Sequence, residues 1–157
     1  MAKKILIAFD DSENSMRAVD FVAANFAPDC SVTLLNVLLD TQALCAMESP
    51  ELTPYFKAEQ SAFCSLEDKK KDLVSQAMQR ARQDLVNCGF SKDRVEARTV
   101  IREKGIARDI IKEIQKGGYD LVVLGRQGLS GVKEFFLGSI PQKIIHGTKD
   151  VSVLLVG

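Results

Sequence analysis

Gly125, Gly128, Gly138 and Ser139 stand at the spacing Gly-x2-Gly-x9-Gly-Ser. Glycines that follow a strand let the backbone close on an anion with no Cβ in the way. A Gly-Ser pair opening a helix adds free N–H groups, a hydroxyl and the positive end of the helix dipole. The chemistry this implies is phosphate binding by main-chain amides held in two jaws. Arg126 and Ser130 lie within the first jaw and are candidates to pair with a phosphate, an exposed turn being an equal alternative. Asp10 closes the first apolar run, in Ile5-Leu6-Ile7-Ala8-Phe9-Asp10. It can accept from a ribose or help hold a metal near phosphates; capping the next helix is the competing role.

Neither of the two commonest phosphate loops is present. A P-loop needs a Gly-Lys pair, and the chain has none. A dinucleotide fingerprint needs three close glycines after the first strand, which here meets Asp10-Asp11-Ser12. His146, the lone histidine, has no Ser, Cys or acid at a triad spacing and reads as a helix C-terminal residue. The four cysteines, Cys30, Cys45, Cys64 and Cys88, are too far apart in sequence for a zinc site of known spacing. A chain of 157 residues with its own core needs no staples, so all four are expected to be reduced.

Whole-chain numbers narrow the classes further. Lys plus Arg equals Asp plus Glu at 21 each, which gives no reason to expect nucleic acid or a membrane surface as partner. No apolar run approaches the ~20 residues that span a bilayer. The first strand meets Asp10 too early to form a signal-peptide core, so a cytoplasmic protein is expected.

The elements that must position these residues follow from periodicity. Lys4 to Phe9 and Leu121 to Leu124 are apolar runs without alternation, and Val32 to Leu39 is apolar but for Thr33 and Asn36, as strands covered on both faces are. Val95 to Ile101 alternates and suits an edge strand. Val151 to Val156 is a last strand. Helices are expected after a cap at Ser12 or Asn14 through about Asn25, from Ser65 to a stop at Cys88-Gly89, from Gly105 to a stop at Gly117-Gly118, and from Ser139, with Pro141 in its first turn. The stripe Leu66, Leu73, Val74, Ala77, Met78, Ala81, Leu85 and Val86 is expected to be buried. Lys69 to Lys71 reads as solvated outer face. Residues 40–64 read as a long loop with a possible helical start near Pro54.

Strand and helix alternate throughout. The expected fold is therefore α/β: one doubly wound domain over residues 1–157, with a five-stranded parallel sheet and helices on both faces. A ligand would lie beyond the strand carboxyl ends where strand order reverses. In the order 3-2-1-4-5, Asp10 and Gly125 would face one crevice.

The glycine pattern resembles the ATP-binding motif of the universal stress protein family, and the resemblance extends over nearly the whole chain. The opening ILIAFDDSENS is similar to the family's first strand and its Asp-Gly-Ser-x-x-Ser turn, and GRQGLSGVKEFFLGSI is close to its phosphate loop. The resemblance implies the 3-2-1-4-5 order and a set of site residues. Asp10 would touch the nucleotide, Ala8 would border the base, and the backbone of Val37 would meet adenine. Gly125, Gly128, Gly138, Ser139 and Ile140 would hold the phosphates. It further implies ATP, or AMP or ADP, with Mg2+ or Mn2+ held by the phosphates, and a homodimer through Val151 to Val156. The function implied is that of a nucleotide-dependent switch or scaffold with unknown protein partners. A slow Mg-dependent ATPase and a nucleotide-free dimeric scaffold are the alternatives. Asp11 replaces the usual glycine of the first turn, and Asn36 stands where histidine is common.

Overall fold

The computed structural model describes residues 2–10, 12–47, 53–126 and 138–157. Five strands make one parallel sheet: β1 (Lys4–Ala8), β2 (Ser31–Leu38), β3 (Val95–Ile101), β4 (Leu121–Gly125) and β5 (Ser152–Val156). Their order is β3-β2-β1-β4-β5, the expected 3-2-1-4-5. β1 is central, with Ile5 to Ile7 facing Val32 to Leu34 on one side and Leu121 to Val123 on the other.

The unbroken apolar character of β1 is explained by two cores. Ile5 and Ile7 point into the layer of α1 (Glu13–Asn25) and α3 (Pro54–Asn87), where Val19, Val22, Met78 and Leu85 are buried. Leu6 points the other way, to Ile110 and Ile114 of α4 (Ile106–Gly117) and Ile144 of α5 (Ser139–Gly147). Successive side chains on a strand face opposite ways, so a strand covered twice has no polar position. The edge strand β3 is fixed across the layer by the Arg98–Glu113 ion pair.

The segment between β2 and the sheet-covering part of α3 departs from expectation. It is not a long loop: it contains the short helix α2 (Gln42–Cys45) and the first turns of α3. α3 starts at Pro54, the earlier of the two starts weighed on sequence, and Thr53 caps it by accepting from the Phe56 N–H at 3.3 Å. Proline suits the first helical turn because its missing N–H has no acceptor there. The helix has 34 residues, a length of about 51 Å, far more than the sheet can cover. Only Val74, Met78, Ala81 and Leu85 are buried. Leu66 and Leu73, expected inside, are 64% and 63% exposed. At 100° per residue they fall on another face from the buried four, and the apolar stripe on sequence merged two faces.

The cysteines are a second correction. Cys45 of α2 and Cys64 of α3 form a disulfide, while Cys30 is buried and free and Cys88 is exposed and free. The argument from chain size considered the core over the sheet. No residue of α2 is buried, so the bond fastens a part of the chain that the core does not reach.

Candidate nucleotide site

The carboxyl ends of β1 and β4 lie side by side, and two hollows open there. The smaller, about 120 Å3, is lined by Ala8, Asp10, Val37, Leu124, Gly125 and Ile140, with Ile106 and Ile110 of α4 as apolar wall. The larger, about 790 Å3, takes in Asp10, Val37 and the start of α5 from Gly138 to Pro141. Asp10, Asn36, Val37, Ile106, Ile140 and Pro141 border both. The larger is of the size that small-molecule sites commonly have.

Asp10 is held by the turn that follows it. Its Oδ1 accepts from the Ser12 N–H at 2.8 Å, the Ser15 hydroxyl at 2.7 Å, and the Ser12 hydroxyl. In return its N–H donates to Ser15 Oγ at 2.8 Å. Ser15 lies in the first turn of α1 and is buried. The Asp10 carboxylate thus organises the entry to α1 while still lining both hollows. Capping and ligand contact, alternatives on sequence, are compatible on one carboxylate with two oxygens.

The two jaws meet. The Gly138 N–H donates to the Arg126 carbonyl at 3.4 Å, and the Arg126 N–H donates to the Val156 carbonyl at 2.7 Å. Gly125 lies so close to α1 that a Cβ there would stand 2.6 Å from Asn14 Cβ. Gly138 is different. Its φ of −53° suits any residue, and an added Cβ would meet nothing nearer than 3.4 Å. Gly138 is the N-cap of α5, and Ser139, expected to cap it, is its first helical residue. The first-turn N–H groups of Ser139 and Ile140 have no acceptor within the helix, and both residues line the larger hollow.

Ala8, Asp10, Val37, Gly125, Gly138, Ser139 and Ile140 are therefore brought together. Arg126 sits to one side, its side chain against the terminal Gly157. Gly128 lies outside the described residues, as do Ser130 and Gly131. His146 lies in the last turn of α5, as its position suggested. Among the described residues no group of three or more His, Cys, Asp or Glu could hold a metal ion, and no helix is long and apolar enough to cross a membrane.

Four residues that border the larger hollow were not among the site residues expected from sequence. Asn36 is only 6% exposed, its Nδ2 donates to the Phe9 carbonyl at 2.8 Å, and its Oδ1 has no partner among the described residues. Its signals were its place between apolar neighbours in β2 and its standing where the family commonly has histidine. Lys70 and Lys71, read as outer surface, border the larger hollow together with Arg102 at the end of β3. Their run of like charge on a helix gave no sign of which face they take.

A model of the universal stress protein family matches residues 1–157. The chain belongs to the universal stress protein family. It is 26% identical to universal stress protein YxiE of Bacillus subtilis, over 92% of each chain. Among solved structures, hypothetical protein MJ0577 is similar at 26% identity, with a TM-score of 0.68 and coverage of 99% of this chain and 96% of that one. The Arabidopsis thaliana family member At3g01520, solved with AMP bound, shares the fold at 15% identity and a TM-score of 0.60, over 99% of this chain and 92% of its own. Other family members that share the fold were solved with cAMP and with dAMP.

Proposed function

We propose that this universal stress protein binds an adenine nucleotide, ATP in the first place, across the two hollows. What supports the reading is the convergence of Asp10, Gly125 and the Gly138–Ile140 opening of α5 at one place. The main-chain N–H groups of Ser139 and Ile140, with the α5 dipole behind them, would receive the phosphates. Among the described residues no neighbour demands glycine at 138. Room for a phosphate beside those amides gives the absent side chain a purpose. Val37 and Ala8, on an apolar wall with Ile106 and Ile110, would border the base. The free oxygen of Asp10 would take the ribose hydroxyls. Gly128, by the family pattern, would complete the cradle. A bound Mg2+ or Mn2+ would be held by the nucleotide's phosphates, not by a cluster of protein side chains.

The family relatives solved with AMP, cAMP and dAMP favour the adenine class. The triphosphate is the finer part of the proposal and rests on the glycine spacing. We read residues 1–157 as one nucleotide-binding unit that acts in the cytoplasm as a homodimer and regulatory switch. The dimer would pair edges along Val151 to Val156, where β5 leaves one edge of the sheet open to a second strand.

Mass spectrometry of nucleotide released from the purified protein tests the first step. Adenine nucleotide at near-equimolar amount is expected. Equilibrium dialysis with ATP, AMP and cAMP then ranks the ligands, and no binding of any of the three would end the reading.

A further inference from the structure

We propose that the Cys45–Cys64 disulfide is a thiol-exchange site that controls access to the cleft. The inference rests on the nucleotide reading above, since it concerns who may enter and leave that site. The argument begins with what holds the cleft wall. β2 ends at Leu38, one residue past Val37, and the chain from Leu39 to Gln42, with Cys45, forms part of the larger hollow. This wall has no core of its own. None of the four residues of α2 is buried, and Leu39, Leu44 and Met47 are exposed.

Besides the backbone bonds within α2 itself, three ties hold the segment among the described residues. The Gln42 N–H donates to Asp40 Oδ1 at 3.1 Å, which is local to the turn. Gln60 of α3 donates its amide to the Leu44 carbonyl and, at 3.2 Å, to the Met47 carbonyl. Both are exposed, where water competes and a hydrogen bond contributes little net stability. The third tie is the covalent bond from Cys45 to Cys64, across 19 residues of sequence. It is the tie that solvent cannot replace, and it joins the wall to a helix whose later turns are packed in the core.

The bond is also open to chemistry. Cys45 is exposed, and Cys64 is partly so. A thiolate of a dithiol reductant attacks Cys45 Sγ, the sulfur–sulfur bond breaks, and Cys64 leaves as the thiolate. The second thiol of the reductant then attacks the mixed disulfide, releases the Cys45 thiolate and closes its own disulfide. Both protein thiolates take up protons. One protein disulfide has been reduced and one dithiol oxidised. With the bond gone, residues 39–47 are held by exposed hydrogen bonds alone, and local opening becomes easier. A wall ordered in its closed position retains ligand better than one that must be ordered on binding.

The experiment uses the full chain in two redox states, with the linked Cys45–Cys64 peptide verified by mass spectrometry in the oxidised form. The release rate of methylanthraniloyl-ATP is measured before and after incubation with dithiothreitol. Reduction is expected to speed release by about fivefold or more, the effect of losing one preorganising link. The doubly substituted Cys45→Ser, Cys64→Ser protein is expected to release at the fast rate in both conditions. Hydrogen exchange of amides 41–47 in the nucleotide-free wild type gives a readout without ligand, and reduction should accelerate it. Equal release rates in the two redox states, unchanged exchange at 41–47, or the absence of the linked peptide would each overturn the proposal. Binding in both states at one rate defeats the redox control alone. Binding in neither state defeats the nucleotide reading, and the control with it.

Discussion

The N–H of Gly138 donates to the carbonyl of Arg126 at 3.4 Å, which closes the chain between β4 and α5 on itself. The two glycine-bearing turns, thirteen residues apart from Gly125 to Gly138 by number, therefore stand at one edge of one cleft. The same motif holds glycines of two different kinds. Gly125 is required by the approach of α1, and Gly138 is not required by any neighbour.

That difference predicts the behaviour of Gly138. Its φ is open to every residue and its surroundings accept a Cβ. Gly138→Ala should change stability by no more than about 0.5 kcal/mol, as an unobstructed substitution does. Gly138→Val should also fold, and should lose ATP binding because its branches compete with phosphate for the space beside the Ser139 and Ile140 amides. Thermal melts and equilibrium dialysis check both halves. A folded Gly138→Val that binds ATP as tightly as the wild type would remove the phosphate role from this residue. Gly128→Val is expected to act in the same direction.

Gly125 should fail for the opposite reason. A Cβ placed 2.6 Å from Asn14 Cβ, and 3.3 Å from the Asn14 backbone carbon, must push α1 off the sheet. Neither atom is the end of a flexible side chain. Gly125→Ala should therefore cost about 1–3 kcal/mol, the usual penalty of overpacking, whether or not nucleotide is present. Urea unfolding of the nucleotide-free protein is the measurement, and an unchanged midpoint would mean that α1 yields without cost.

The contrast bears on what a sequence can tell. The doubly covered parallel sheet was legible because β1 and β4 read as apolar on both faces and β2 nearly so, and such strands suit a sheet with helices on both sides. The spacing of Gly125, Gly138 and Ser139 was legible because it is local. The start of α3 was legible only as an alternative near Pro54 beside the one at Ser65. Its first turns lie off the sheet, so Tyr55, Phe56 and Phe63 had no partner surface to impose a period. The Cys45–Cys64 pairing depends on where α2 happens to meet α3, which no spacing encodes. Asn36 and Lys70 were missed because their neighbours in the cleft come from distant strands and helices, brought close only by the fold.

Asp10 and Ser15 should couple. They exchange two hydrogen bonds, Asp10 N–H to Ser15 Oγ and Ser15 hydroxyl to Asp10 Oδ1. Asp10→Ala and Ser15→Ala should each cost about 1–2 kcal/mol, in the range of lost helix-entry caps. The double substitution should cost less than their sum, because the Ser15 hydroxyl to Asp10 Oδ1 bond is lost in either single change, while the bond from the residue-10 N–H is lost only with Ser15. This separates the two roles of Asp10. If Ser15→Ala keeps ATP affinity while Asp10→Ala loses it, the carboxylate acts on the ligand as well as on the turn. If both lose affinity equally, its effect on binding passes through the turn.

A last prediction concerns acid. Asp109, in the first turn of α4, is only 5% exposed. Its Oδ2 accepts from the Glu103 N–H at 2.8 Å and its Oδ1 from the Lys104 N–H at 3.2 Å. Burial pushes its carboxyl up, but the backbone N–H groups of Glu103, Lys104 and Gly105, aided by the charge of Lys112, prevail and hold it below its ordinary value. A carboxylate with a folded pKa below its unfolded value contributes stability that is complete above the unfolded value, about 3.9 for Asp. That contribution is lost as pH falls through the lower, folded value. Asp109→Asn keeps the shape but turns a donor toward one of two N–H groups, which should cost about 1–3 kcal/mol at pH 7. Below about pH 4 the gap between wild type and variant should narrow, since the wild-type carboxylate is then being protonated as well. Urea midpoints at pH 7 and at pH 3 measure it. A gap that stays constant between the two would mean that the Asp109 charge has no part in holding residues 103–105 onto α4. The consequence reaches the cleft, because Ile106 and Ile110 of the same helix form the apolar wall beside Val37.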